Sequence, residues 1–174
     1  MNEVINSIIK RRSVKKFKDE MIPRETLEKI LVAGTYAPTG MNRQSPIMVC
    51  ITNKEIRYRL SKLNASIMGR DGIDPFYGAP VVVIVLADTS VRTYKYDGSL
   101  VMGNLMLAAD SLGIGSCWIH RAKEEFETEE GKQILKDLGI EGEYEGIGNC
   151  ILGYIDGDYP EVRPRKDGYV YFVE

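Results

Sequence analysis

The chain has 174 residues, 44% of them hydrophobic and 28% charged, with a formal net charge of −2. That composition suits one soluble-type globular domain spanning 1–174, and the acidic balance argues against a nucleic-acid binder. The longest apolar run, Val81 to Ala87, is far too short to cross a bilayer, so no membrane association is expected.

In chain order, Val4, Ile5, Ile8 and Ile9 have helical spacing and lead into a basic cluster, Lys10-Arg11-Arg12-Ser13-Val14-Lys15-Lys16. Pro23 suits the first position of a second helix with Leu27, Ile30, Leu31 and Ala33 on its inner face, stopping before Pro38. Residues Ala37 to Pro46, bracketed by prolines and rich in turn formers, form a loop. Ile47 to Thr52 reads as a strand, and Ile56, Leu60 and Leu63 mark a short helix before a glycine-containing loop that runs to Pro80.

Val81 to Leu86 is apolar on both faces and is expected to be a central strand covered on both sides. Asp97 is placed as the cap of a long helix carrying Leu100, Val101, Leu105, Ala108 and Leu112, with Gly113 as its stop. Gly115 to Ile119 is a further strand. Thr128 caps a helix through Ile134, Leu135 and Leu138 that Gly139 ends, and Asn149 to Tyr154 is another strand. The tail, Tyr169-Val170-Tyr171-Phe172-Val173, has strong strand propensity and needs a pairing edge in its own sheet or a partner's. The sum is an α+β fold: a mixed central sheet of about five strands with helices on both faces.

Little of the usual chemistry is on offer. Cys50, Cys117 and Cys150 have apolar neighbours and form no Cys-x-x-Cys pair, so they read as buried reduced thiols. A single histidine, His120, argues against a histidine-rich metal site and against a hydrolase triad. Gly113-Ile114-Gly115 follows a helix and precedes a strand, the reverse of the dinucleotide-binding order. The first residues, Met1-Asn2-Glu3, show no charged-then-apolar leader, and a cytoplasmic protein is expected. What stands out is a pair of local basic clusters, the first at Lys10 to Lys16 and the second at Arg163-Pro164-Arg165-Lys166. Arginines beside a hydroxyl such as Ser13 suit a phosphate, and two clusters that meet in the fold can hold one phosphorylated ligand. Solvated surface charge is the alternative.

Four segments together resemble the FMN-dependent nitroreductase family. Arg11-Arg12-Ser13-Val14-Lys15-Lys16-Phe17 resembles its opening motif, and Ala37 to Pro46 its second. Gly113-Ile114-Gly115-Ser116-Cys117-Trp118-Ile119 resembles its strand beside the flavin ring, and Leu152-Gly153-Tyr154 with Arg163 to Lys166 its closing motif. The resemblance implies a homodimer with FMN at the subunit interface and a C-terminal strand exchanged onto the partner. It places Arg11, Arg12 and Ser13 at the ribityl phosphate, closed by Arg163 and Arg165. It places Lys15 at the pyrimidine edge, tuning the flavin, and it brings Pro38, Thr39, Gly40, Met41 and Asn42 from the second chain to border the ring. Trp118, Ile119, His120 and Arg121 fall along one ring face and the N5 edge, and Asn64 matches a polar ring contact.

The implied activity is electron transfer from NADH or NADPH to a nitroaromatic, quinone or other conjugated small-molecule acceptor by a ping-pong cycle. Dehydrogenation, dehalogenation, or flavin binding and sensing on the same fold are the alternatives. Three departures from the family pattern are Ile67, where larger members carry a lysine, His120, where some carry an acid, and a short connection from Ala87 to Tyr96, where larger members carry insertions.

Overall fold

The seven apolar residues from Val81 to Ala87 fix the middle of the molecule, because each is fully buried. The computed structural model describes residues 2–174, and strand β2 (Val81–Asp88) lies at the centre of its sheet. Strand β1 (Pro46–Ile51) pairs with one edge of β2, and β4 (Tyr144–Gly153) with the other. Strand β3 (Gly115–Ile119) adds to β4, giving the order β1-β2-β4-β3.

All three pairings are antiparallel. The expected mixed sheet of about five strands is therefore corrected to a four-stranded antiparallel sheet among the described residues. Its parallel element is a single bridge, Ser13 to Ser116. The tail makes no strand within the chain: Tyr171, Phe172 and Val173 are exposed.

The alternation of β2 sorts the core into two layers. Val82, Ile84 and Leu86 pack with Leu60, Phe76, Phe126 and Ile134 on one face. That face is covered by α3 (Lys54–Ile67), α5 (Ala122–Glu127) and α6 (Glu129–Asp137). Val81, Val83 and Val85 pack with Leu27, Ile30, Val101, Met102 and Leu105 on the other. There α2 (Arg24–Thr35) and α4 (Tyr94–Ser111) lie over the sheet. Helix α1 (Glu3–Lys10) buries none of its residues, and Val4, Ile5, Ile8 and Ile9 face outward. No helix among the described residues is long and apolar enough to cross a membrane.

Thr128 caps α6 by accepting from the Gly131 amide, and Gly113 and Gly139 take left-handed backbone just past their helices, as their sequence positions suggest. Asp97 is not a cap. Helix α4 begins three residues earlier at Tyr94, and Asp97 is buried in its first turn. There it accepts the Gly40 amide at 3.0 Å and the hydroxyls of Ser45 and Thr93 at 3.0 and 2.9 Å. It thus ties the 39–45 loop to α4. Helix α5 escapes a periodicity reading because six residues are too few to display one.

Helix α5 is wedged between β4 and α6 with backbone against backbone. A Cβ on Gly146 would lie 2.2 Å from the Ala122 carbonyl oxygen. We expect Gly146→Ala to lower the unfolding free energy by roughly 1–3 kcal/mol, the usual cost of overpacking, read as a lower urea midpoint.

Candidate functional site

The segment after α1 docks on the free edge of β3. The Val14 amide donates to the Ser116 carbonyl at 2.9 Å, and further on the Lys18 amide donates to the Tyr154 carbonyl at 2.9 Å. Val14 and Phe17 are buried as anchors. An extended backbone sends neighbouring side chains to opposite sides, so Ser13 and Lys15 face out into a cleft of about 550 Å³. Tyr159 holds the start of this segment, because its hydroxyl accepts the Arg12 amide at 3.0 Å and donates to Asp110.

The two arginines ahead of Ser13 have unusual surroundings. Arg12 Nη1 donates to the Ile9 and Arg11 carbonyls, both at 2.7 Å. Arg12 Nε and Nη2, Arg11 Nη1 and the Ser116 hydroxyl are buried with no hydrogen-bond partner among the described residues. Unmet buried donors of this kind are costly, more so on a charged group, and an anion with several acceptor oxygens would satisfy them.

A second wall is the end of β3 and the turn beyond it: Cys117, Trp118, Ile119, His120 and Arg121 all line the cleft. Burial pushes the Cys117 thiol up, against the pull of Ser13, Lys15 and Arg11. Arg121 adopts left-handed backbone, φ 81°, where α5 begins. The His120 carbonyl accepts the Asn64 side-chain amide at 2.9 Å. Across a trans peptide the carbonyl and the next N–H point in opposite directions. Fixing the His120 carbonyl toward Asn64 therefore turns the Arg121 N–H the other way, and that amide donates to no described residue.

The third wall is the segment from Met68 to Tyr77, with Arg70, Ile73, Asp74 and Pro75. Asp74 organises it. One carboxylate oxygen accepts the Ser61 hydroxyl at 2.6 Å and the Phe76 amide at 3.0 Å. The other accepts Arg57 Nη2 at 2.5 Å and the Gly78 amide at 2.7 Å. Burial alone would raise this carboxyl, but Arg57, Ser61 and Gly78 outweigh it and hold it below the usual range. Lys15 reaches over the Tyr77 ring at 5.5 Å.

Of the residues singled out from sequence, Ser13, Lys15, Trp118, Ile119, His120 and Arg121 share this cleft. Asn64 does not line it; fully buried, it reaches the site through the His120 carbonyl. Pro38, Thr39, Gly40, Met41 and Asn42 lie elsewhere on the chain, in the loop held by Asp97. Met41 is 87% exposed there. Arg163 and Arg165 are exposed on the irregular tail, and neither side chain bonds a described residue. No metal-ligating cluster is present among the described residues. Sequence reasoning missed Arg70, Asp74 and Tyr77 because the glycines around them marked only a loop.

It also missed Glu125, which is fully buried behind the β3 wall. Asn64 donates to one of its oxygens, and Asn149 to the other at 2.8 Å. Burial pushes this carboxyl up to about 7, against the two amide bonds and Arg121 and with Glu124 adding to the rise. The folded chain therefore holds this proton more tightly than the unfolded one. Stability is fully present below the ordinary value of 4.5 and is lost as pH rises through about 7. Glu125→Gln should remove that component, since the unpaired Asn64 and Asn149 oxygens can accept the new amide after a flip. Urea unfolding across this pH range should show the parent chain losing stability relative to the variant. Parallel curves would contradict it.

Comparison with known proteins bears on this cleft. The nitroreductase family model matches residues 8–76 and 72–154. A relative from Archaeoglobus fulgidus is 31% identical over 159 residues, 88% of this chain and 86% of its own. A relative from Methanothermobacter thermautotrophicus is 30% identical over 67% of this chain, which spans 60% of that relative's length. A crystal structure of a nitroreductase with bound FMN from Bacteroides fragilis superposes with a TM-score of 0.92 at 29% identity, covering 100% of both chains. One from Desulfitobacterium hafniense, also a nitroreductase with bound FMN, gives 0.86 at 30% identity over 99% of both. The matched stretches carry the docked Arg11–Phe17 segment and all three cleft walls, and on that coverage the chain belongs to the nitroreductase family.

Proposed function

We propose that this chain is an FMN-dependent NAD(P)H oxidoreductase acting as a homodimer, with FMN in the cleft between Lys15, Trp118 and Arg121. One observation carries the reading: the buried, unpartnered nitrogens of Arg11 and Arg12 beside Ser13 fit the phosphate of a mononucleotide. It is supported by relatives, among them an FMN reductase [NAD(P)H] from Bacillus subtilis, 29% identical over 67% of this chain and 53% of that protein.

The chemistry supplied by bound FMN is hydride acceptance from NADH or NADPH, then electron delivery to a nitroaromatic, quinone or other conjugated acceptor in ping-pong order. The protein's part is to bind, orient and tune. Arg11, Arg12 and Ser13 hold the phosphate. Lys15 would offer a positive charge to stabilise negative charge at the pyrimidine edge. The Arg121 amide, turned away from the Asn64–His120 bond, would be a donor for the N5 edge of the ring. Trp118 and Ile119 support one ring face.

A second copy completes the site. Among the described residues, the apolar side of α1 and the tail, Tyr169 to Val173, stay exposed. On this reading the tail crosses to the partner, bringing Arg163 and Arg165 to close the phosphate site. The Pro38, Thr39, Gly40, Met41 and Asn42 loop of the other copy borders the ring. The three free thiols suit a reducing, cytoplasmic setting.

Two variants separate these roles. Arg163→Ala with Arg165→Ala should weaken FMN retention about tenfold or more, the worth of lost charge-assisted hydrogen bonds, with a smaller effect on turnover at saturating FMN. Lys15→Ala should do the reverse, lowering the flavin potential and turnover more than retention. FMN titration, a potentiometric titration and steady-state rates read all three quantities. An unchanged potential and rate in Lys15→Ala would contradict the role given to it.

A further inference from the structure

With the phosphate assigned to Arg11 and Arg12 and the pyrimidine edge to Lys15, two further cations on the cleft walls, Arg70 and Arg121, form no ion pair with a described residue. Arg70 stands just past α3, in a turn where the Gly69 amide donates to Ser66 at 2.8 Å and the Arg70 amide to Ala65 at 3.0 Å. Gly69 is left-handed, φ 66°, so this is a fixed helix stop rather than a loose end. Arg121 is fixed on another wall by its own left-handed backbone at the start of α5. Neither guanidinium makes an ion pair or hydrogen bond with a described residue, and both line the same cleft.

Asp74 lines the cleft with them, and Glu125 lies behind Arg121, its carboxyl drawn down by that arginine though raised overall by burial. Asp74 spends both oxygens on Arg57, Ser61 and two backbone amides. The chain as a whole is slightly acidic, with a net charge of −2, so the positive charge that Lys15, Arg70 and Arg121 bring to one concavity is a local feature. Cations on separate walls of a cleft focus the field into it and favour an anionic visitor. Planar guanidinium groups suit phosphate and carboxylate in particular.

We propose that Arg70 and Arg121 receive an anionic group, a phosphate or a carboxylate, on the molecule that exchanges electrons in this cleft. The proposal rests on the flavin reading above. The anion has two sources: a phosphate of the dinucleotide donor, or an acidic substituent on the acceptor.

The test uses the full FMN-loaded chain with Arg70→Glu, Arg70→Gln and Arg70→Lys. The KM is measured for NADH and NADPH as donors, and for 4-nitrobenzoate against nitrobenzene as acceptors. The dissociation constants of benzoate and benzamide are read from the flavin absorbance without turnover. FMN retention is measured separately in each variant.

Arg70→Glu should raise the constant for the anion-bearing molecule about tenfold or more, the worth of a charge-assisted contact. Arg70→Lys should recover part of the loss, and the parent KM should climb with ionic strength. An effect on the dinucleotides alone places the anion on the donor. An effect on nitrobenzoate and benzoate alone places it on the acceptor. Unchanged constants in Arg70→Glu that still retains FMN, or equal rises for charged and uncharged molecules, overturn the proposal. A parent chain that holds no FMN overturns the flavin reading itself, and this proposal with it.

Discussion

The backbone bond from Val14 to Ser116 is the contact on which the site depends. It lays the segment after α1 along the free edge of β3, and the pleat then does the sorting. Val14 goes into the core, while Ser13 and Lys15 turn toward the cleft. Arg11 and Arg12 are carried to the same edge with donors that the chain itself leaves unmet. Were this segment free, its five cations between Lys10 and Lys16 would be an ordinary solvated run. Docked, part of that charge is buried, and burial without a partner is what gives it chemical meaning.

A second constraint acts from behind. Glu125 and its two asparagines form a buried polar knot between α3, α5 and β4. Asn64 extends the knot to the His120 carbonyl, which sets the direction of the following peptide. The left-handed backbone at Arg121 is a strained choice for a residue with a side chain, and such outliers persist where surrounding structure holds them. Here the close backbone packing of α5 against Gly146 and the amide from Asn64 both hold it. The wall of the cleft is therefore rigid for reasons that lie a layer below it.

Much of the fold was legible in the sequence. The central strand, the two helical layers, the Thr128 cap and the glycine stops follow from apolar periodicity and local turn chemistry. The sheet's composition was not, because a short apolar run does not say whether its neighbours are parallel, and the tail's strand propensity finds no edge inside one chain. Asp97 misled for a physical reason: an aspartate near a helix start resembles a cap, yet this one bonds a loop distant in sequence. In the cleft, Ser13 and Lys15, singled out by a basic cluster beside a hydroxyl, and Trp118 to Arg121, singled out by a resemblance of segments, come together. Glu125 was hidden among neighbouring acids, and Asn64 gives no sign in sequence that it would be buried. Arg70 sat in a stretch that glycine content marks only as a loop. Residues that act through tertiary contact leave no local pattern to read.

The proposed chemistry requires this cleft to hold FMN and to pass electrons from a reduced nicotinamide through it. The most direct measurement is the visible absorption spectrum of the purified protein, before and after FMN is added, and then after NADH or NADPH is added without oxygen. A bound-flavin spectrum that bleaches on addition of the nicotinamide is the expected result. A protein that takes up no flavin would contradict the reading of the site, and bound flavin that stays oxidised with both nicotinamides would contradict the reductase.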